Sequence, residues 1–204
     1  MKEESGVRDR YRQELRAFLA GAMPGKENVL VFGEGPENPV LMLIGEAPGE
    51  QESLQGRPFV GKAGKNLDHF LNLAQLMREE IYITNAVKIR PTKVSEKGRI
   101  SNRPPTREEI ALFRPWLMRE IAEIRPKMIA TLGNVPLGAV TGGKQTIGQV
   151  HGSVIPAGET GLPLFALYHP ASLIYNRSLE SVYEQDVRAL AKKLHALSNA
   201  ETDI

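Results

Sequence analysis

Polar residues that could do chemistry follow several short apolar runs of this sequence. They are Glu46 in the segment Gly45–Gly49, Asn85 after Thr84, Asn134 after Gly133, and His169 before Pro170. In an open parallel sheet the carboxyl ends of the strands line the ligand crevice, so residues that are distant in sequence meet there. We therefore expect Glu46, Asn85 and His169 to gather around one ligand.

The three side chains differ in chemistry, and each predicts a different role. They are a carboxylate, a carboxamide and an imidazole. Asn85 offers both a donor and an acceptor, which suits the edge of an amide-like ring such as uracil. Glu46 would orient or activate a water molecule, and His169 would donate to an oxygen that gains negative charge. Each also has an ordinary structural interpretation, as a turn cap, a helix cap and a loop histidine respectively. Their common placement at strand ends favours a site.

The segment 56–63 nearly matches a phosphate-binding loop but lacks its chemistry. Ala63 has no hydroxyl for magnesium, and Pro58 has no backbone N–H to offer a phosphate. In addition, no predicted strand runs directly into the segment. We therefore expect no nucleotide cofactor.

The elements that must position these residues alternate between strands and helices. Apolar runs predict strands at 29–32, 40–44, 81–84, 128–132 and 164–168. Helical spacing and capping patterns predict helices at 8–21, 67–74, 106–124, 134–140 and 179–194. This alternation indicates an α/β fold, a three-layer α/β/α sandwich with a central, mainly parallel, doubly wound sheet.

The composition limits the possible classes of protein and cofactor. A length of 204 residues suits one domain spanning 1–204, and 26 basic against 24 acidic side chains permit a nucleic-acid partner without requiring one. The absence of cysteine excludes disulfides and thiolate-held clusters, so we expect neither a metal nor another cofactor. No apolar run is long enough to span a membrane. We expect a cytoplasmic protein without membrane contact, and a monomer.

At these residues the chain resembles the family-4 uracil-DNA glycosylases and their relatives. The resemblance is carried in order by Val31–Pro36, Gly45–Gly49, Gly56–Gly64, Tyr82–Lys88, Arg114–Trp116, Leu132–Gly133 and His169–Ser172. It implies a monofunctional glycosylase that acts on uracil-containing DNA in base excision repair and leaves an abasic site. Two alternatives stay open: a glycosylase for another deaminated base such as hypoxanthine, and a DNA-binding protein that recognises lesions without cutting them.

The resemblance also implies roles for individual residues. Glu46 and His169 would be catalytic, with His169 stabilising the departing uracil anion. Phe59 would stack on the flipped base, although a core aromatic is the alternative interpretation. The other uracil-binding residues would be Ala47, Asn85 and Glu52, the last standing where the family commonly has an acidic pair.

A base inside a duplex must be rotated out before it can be cleaved, and the gap must be held open. Leu173 and Ile174 would form an apolar wedge, unless they begin the last helix as core residues. Ser172, Asn176 and Arg177 would hold flanking phosphates. Further phosphate contacts would come from Arg57, Lys62 and Lys88 and from the basic residues of the segment 90–103.

Two departures from the family pattern have consequences. Family-4 members usually hold an iron–sulfur cluster with four cysteines, whose positions fall near Ala20, Met23, Ile89 and Phe113 here. We expect a small apolar plug in place of that cluster. Ser101 stands where a related branch has a histidine that becomes covalently attached to DNA, so we predict ordinary turnover for this chain.

Overall fold

The computed structural model describes residues 2–24, 29–143 and 145–199, with seven strands among them. The strands are β1 (Leu41–Gly45), β2 (Tyr82–Asn85), β3 (Thr92–Val94), β4 (Ile100–Asn102), β5 (Met128–Leu132), β6 (Val154–Pro156) and β7 (Pro163–Leu167). The helices are α1 (Lys2–Ala22), α2 (Glu50–Gln55), α3 (Lys62–Ala74), α4 (Arg107–Ile124), α5 (Asn134–Thr141), α6 (Ile147–Val150), α7 (Ser172–Tyr175) and α8 (Glu180–Asn199). Within the described ranges, no helix is long and apolar enough to cross a membrane.

The main sheet has five strands in the order β2-β1-β5-β7-β6. All neighbouring pairs are parallel except β6 with β7, which is antiparallel. The chain moves from β1 to β2 on one side and later to β5 and β7 on the other. The predicted mainly parallel, doubly wound sheet is confirmed, and its order reverses at β1, where such folds bind ligands.

Both faces of the sheet are covered because side chains alternate along each strand. Leu41 and Leu43 of β1 lie in a core with the buried residues of α3 and α8. Met42 and Ile44 lie in a second core with residues of α4, α5 and α6. The three-layer arrangement is therefore confirmed, with the sheet buried between two sets of helices.

A third apolar cluster joins α1 to α4 and includes most of the predicted plug. Ile89 and Phe113 are buried in it with Leu15, and Met23 packs against it. Ala20 is exposed and lies outside the cluster, so its inclusion in the plug was wrong. None of the four side chains at these positions supplies a thiolate, and three of them form apolar contacts, so they do not fit an iron–sulfur cluster.

Three parts of the chain differ from the prediction. The segment 29–32 is not a strand, and its Val31 N–H donates to the Lys88 carbonyl at 2.8 Å. β3 and β4 form an antiparallel hairpin in a segment where no strand was predicted. The edge strand β6 was not predicted, because three residues ending in proline carry too short a pattern.

Candidate active site

A cleft of about 960 Å³ opens at the carboxyl ends of the central strands. Its lining includes all six residues that the sequence assigned to catalysis or uracil binding: Glu46, Ala47, Glu52, Phe59, Asn85 and His169. Glu46 and His169, the two that lie furthest apart in the sequence, are separated by 123 positions. The fold therefore gathers an acid, an amide and an imidazole at one place.

The ends of four parallel strands set the positions of these side chains. Asn85 is the last residue of β2 and is paired in register with Gly45, the last residue of β1. Glu46 follows directly, and His169 lies two residues beyond β7. Gly133 follows β5, and a Cβ built there would lie 3.3 Å from Cβ of His169. The imidazole is thus placed against the adjacent strand end.

The Asn85 side chain is buried without a hydrogen-bond partner among the described residues, with only 3% of the residue exposed. Its backbone carbonyl accepts a hydrogen bond of 2.7 Å from Nζ of Lys88. Its amide atoms are not among the fully buried, unpaired polar atoms of the described residues, because Asn85 lines the cleft and its carboxamide reaches that space. The backbone of Asn85 is therefore held while its carboxamide remains available to a ligand.

Phe59 lies directly against the end of β1, and only glycine fits beside it. A Cβ at Gly45 would be 2.5 Å from Cζ of Phe59 and 2.5 Å from Oδ1 of Asn85. Such distances are shorter than van der Waals contact, so any side chain at Gly45 would displace the ring or the amide. Phe59 is 7% exposed and joins the core with one part of its surface while lining the cleft with another.

The backbone around Phe59 is strained and held from two sides. Phe59 has φ of 54°, a left-handed conformation that costs free energy in a bulky residue. Glu52 accepts hydrogen bonds from the backbone N–H groups of Val60 and Gly61 at 3.1 and 2.7 Å. Arg78 donates to the carbonyls of Pro58 and Phe59 at 2.7 and 3.3 Å.

Glu52 therefore lies in the cleft wall, but its carboxylate accepts hydrogen bonds from backbone N–H groups. Besides the two bonds to the Phe59 loop, its other oxygen accepts from the N–H of Gly49 at 3.1 Å. The side chain links the segment after β1 to the loop that carries Phe59. This arrangement favours a positioning role over direct contact with a base.

Glu46 is half-buried and has no hydrogen-bond partner for its carboxylate among the described residues. Burial raises the pKa of this carboxyl above its usual value of 4.5, because desolvation disfavours the charged form. A carboxylate that is poorly solvated and unpaired is a good acceptor for a proton of a bound water molecule.

His169 is oriented by the turn that follows it. Its Nδ1 accepts a hydrogen bond of 3.1 Å from the backbone N–H of Ala171. Burial lowers the pKa of the imidazole below its usual value of 6.5, so the ring is neutral at pH 7. Because Nδ1 is the acceptor, the single proton of the neutral ring lies on Nε2, which is left as a donor.

The prediction that Lys88 contacts DNA is wrong. Its side chain is 0% exposed, and Nζ donates to Thr84, to the Asn85 carbonyl and to Glu120, the last at 2.5 Å. Burial lowers the pKa of Lys88, while the facing Glu120 carboxylate opposes this shift. Tyr82 also donates to Glu120, at 3.0 Å. The network lies beneath the end of β2, which carries Asn85, instead of on the surface.

The other predicted DNA contacts lie at or near the surface. Lys62 lines the cleft, and Arg57 is exposed but forms two-pronged hydrogen bonds with Glu34 at 2.9 and 3.0 Å. Arg177 is exposed, as is Asn176, whose side chain accepts from the N–H of Ser178 at 3.2 Å. Their contacts with phosphates stay predictions.

The predicted wedge in α7 is only partly described. Leu173 is half-buried and packs against the core formed with α8, as in the alternative interpretation of this segment. The neighbouring Ser172 is also half-buried, and its backbone N–H donates to the carbonyl of His169 at 2.8 Å. The side chain of Ile174 lies outside the described residues.

Some polar residues of the cleft carried no clear signal in the sequence. Asn66 of α3 and Asn102 of β4 line it, and so does Arg103, which the sequence marked only as one of the basic residues expected to contact phosphates. Asn66 is the fifth residue of α3, where the helical pattern gives it no distinction from other polar positions. Arg78, which holds the Phe59 loop, lies 19 positions away and has no local pattern that marks it.

Comparison with known proteins places this chain in a family. A family model described as the uracil DNA glycosylase superfamily matches residues 32–194. The type-4 uracil-DNA glycosylase of Saccharolobus solfataricus is 36% identical over 195 residues, covering 92% of this chain and 83% of that protein. The type-4 uracil-DNA glycosylase of Thermotoga maritima is 39% identical over 154 residues, covering 74% of each chain. The crystal structure of SMUG2 from Pedobacter heparinus matches with a TM-score of 0.52 at 15% identity, over 80% of this chain and 77% of that one, and is similar in fold.

Proposed function

This chain belongs to the uracil-DNA glycosylase superfamily, and we propose that its cleft excises uracil from DNA with Glu46, Asn85 and His169 in the leading roles. The enzyme is a glycosidase that hydrolyses the N-glycosidic bond and leaves an abasic site. The observation that carries the assignment of roles is that the unpaired carboxamide of Asn85 lines one cleft with an unpaired carboxylate and an oriented imidazole.

Recognition combines an edge contact with a stacking surface. The Asn85 carboxamide donates to one carbonyl of uracil and accepts from the adjacent ring N–H. Phe59 offers its ring to the face of the extruded base, which suits an aromatic side chain held close to Asn85. Glu52 and Arg78 keep that ring in place through the backbone.

Cleavage of the N-glycosidic bond leaves negative charge on uracil and positive charge on the sugar. The cleft has one side chain for each of these two products. As the bond between C1′ and N1 breaks, its electron pair passes to uracil, and the Nε2–H of neutral His169 donates to the uracil oxygen where negative charge collects. The sugar becomes oxocarbenium-like. A water molecule held by Glu46 then attacks C1′, and its proton passes to the Glu46 carboxylate.

DNA reaches this cleft past basic side chains at its rim, of which Lys62 is one. Arg177 is exposed and has no ion-pair partner among the described residues, so it suits a flanking phosphate. We expect the protein to bind DNA and act as a monomer.

The assignment of Asn85 is tested by replacing its carboxamide. Asn85→Ala is expected to lower kcat/KM for uracil release roughly 100-fold or more, because the edge of the base then meets no partner. Asn72→Ala, an exposed asparagine on α3, is the matched control and should keep the wild-type rate. Release of uracil by the Asn85 variant at the wild-type rate would show that another group reads the base.

A further inference from the structure

The β3–β4 hairpin presents two apolar side chains to solvent side by side. Val94 and Ile100 are directly paired across the two strands, and they are 67% and 57% exposed. Side chains of directly paired residues lie on the same face of a hairpin. Together they form an exposed apolar pair, which we call the hairpin tip, directly beside the five-residue turn 95–99, on an element whose strands have no buried residue.

The hairpin tip faces the same side as the cleft. Asn102 lies two residues after Ile100 on β4, so their side chains share one face of the strand. Asn102 lines the cleft, and its Nδ2 would lie 3.5 Å from a Cβ built on Gly49. The apolar pair therefore continues outward from the wall of the active site.

The base of the hairpin is braced. Arg90 donates to Oδ1 of Asn102 at 2.7 Å, and Arg103 donates to the carbonyl of Thr92 at 3.0 Å. Arg103 also forms an ion pair of 2.7 Å with Glu109 of α4. A hairpin that is isolated is marginally stable, so this bracing keeps the tip beside the cleft.

Cationic side chains surround the tip. Lys93, Lys97 and Arg99 lie on the hairpin, and none has a carboxylate partner among the described residues. The only acid between residues 92 and 102 is Glu96. An apolar tip flanked by unpaired cations complements a duplex whose bases are apolar on their faces and whose backbone is anionic.

We propose that Val94 and Ile100 form a wedge that enters duplex DNA beside the extruded nucleotide, while Lys93, Lys97 and Arg99 contact the flanking phosphates. The inference rests on the proposed glycosylase function and adds the element that holds the duplex open. It also gives an apolar tip that is exposed, whereas Leu173 of α7 packs against the core.

The test compares duplex with single-stranded substrate. Val94→Thr combined with Ile100→Thr keeps β-branched side chains in the hairpin but removes apolar surface. The double variant is expected to lose about tenfold in kcat/KM on a duplex with one U·G pair. On a single-stranded oligonucleotide, which needs no wedge, its rate should stay within about twofold of wild type.

Two controls make the result specific. Val154→Thr makes the same change on the exposed strand β6, away from the cleft, and should leave both substrates unaffected. Val94→Leu with Ile100→Leu restores an apolar tip and should recover duplex activity. Equal losses on both substrates, or none on the duplex, would overturn the wedge. A wild-type protein inactive on both substrates would instead overturn the proposed function.

Discussion

Among single residues, burial shifts the pKa values of Glu46 and His169 in opposite directions. Burial disfavours charge, so it raises the pKa of the carboxyl and lowers the pKa of the imidazole. The carboxylate becomes a better proton acceptor, and the imidazole stays a neutral donor at pH 7. Both states are those that cleavage of an N-glycosidic bond requires.

We expect the ionised form of Glu46 to set the acid limb of activity. Since burial raises the pKa of Glu46, kcat/KM should fall as pH drops, with an apparent pKa above the usual 4.5. Glu46→Gln should lose most activity, and its residual activity should lack this limb. A pH–rate profile for wild type, Glu46→Gln and the exposed control Glu79→Gln checks this, and an unchanged acid limb in Glu46→Gln would contradict it.

Glu46→Gln, which should lower activity, should raise the stability of the folded protein at pH 7. A carboxyl whose pKa is higher in the folded state opposes folding when it is ionised, and the opposition disappears at pH below its unfolded pKa. Glu46→Gln should therefore have a higher Tm than wild type at pH 7, with a smaller difference at pH 4. Thermal unfolding at both pH values measures this, and a lower Tm at pH 7 would argue against it.

Sequence reasoning identified the residues at strand ends but misplaced Lys88. Glu46, Asn85 and His169 could be found because the ends of buried parallel strands converge by rule. Lys88 stands in a basic segment, and nothing local shows that Glu120, 32 positions later, turns it inward. The hydrogen bonds from Arg78 to the Phe59 loop could not be predicted either, because they also join residues that are distant in sequence.

At the scale of elements, the Lys88–Glu120 pair ties α4 to β2 beneath the active site. Lys88 also donates to the Asn85 carbonyl, so the packing of a helix is connected to the strand end that carries Asn85. Removing one partner of a buried ion pair lowers the free energy of unfolding, because the remaining charge is buried without a partner or solvent.

Glu120→Ala should lower the free energy of unfolding by about 3–5 kcal/mol, since it leaves Lys88 charged and buried. Replacing both partners with Lys88→Met and Glu120→Leu should cost less than the single change. On the same helix, Glu123→Ala removes the partner of the partly exposed Arg119 and should cost about 1 kcal/mol or less. Denaturant unfolding measures all three, and equal effects of Glu120→Ala and Glu123→Ala would contradict the account.

Elements with strong local signals were predicted well. The capping box of Thr106 and Glu109 marks the start of α4, and the structure has both of its hydrogen bonds. The segment 29–32 has the apolar character of a strand, but few backbone bonds tie it to the rest of the protein. The hairpin β3–β4 has few apolar residues and therefore gave no strand pattern.

At the scale of the whole molecule, an apolar cluster holds α1 against the body where the resemblance would place thiolate ligands. Leu15 and Phe113 are fully buried in it, and Arg119 adds an ion pair with Glu14 of α1. Burial of such side chains contributes about 1.5–3 kcal/mol each, which is enough to secure a helix without metal. The composition of the chain excluded the thiolates, whereas the contacts of α1 needed the folded structure.

Ser101 supports turnover without a lasting adduct. It is half-buried on β4, opposite Lys93, and its hydroxyl has no basic hydrogen-bond partner among the described residues. A serine without such a partner is a weak nucleophile. Incubation with a uracil-containing oligonucleotide should therefore give no denaturant-resistant protein–DNA band, and such a band would refute the prediction.

The central claim is that Glu46, Asn85 and His169 act together on one extruded uracil. Its most direct test is the release of free uracil from a single-uracil oligonucleotide under single-turnover conditions, with and without chelator, alongside measured DNA binding. We predict release by wild type under both conditions, and a roughly 100-fold slower step in His169→Ala with binding retained. A wild-type protein that binds this DNA tightly but releases no uracil would contradict the account.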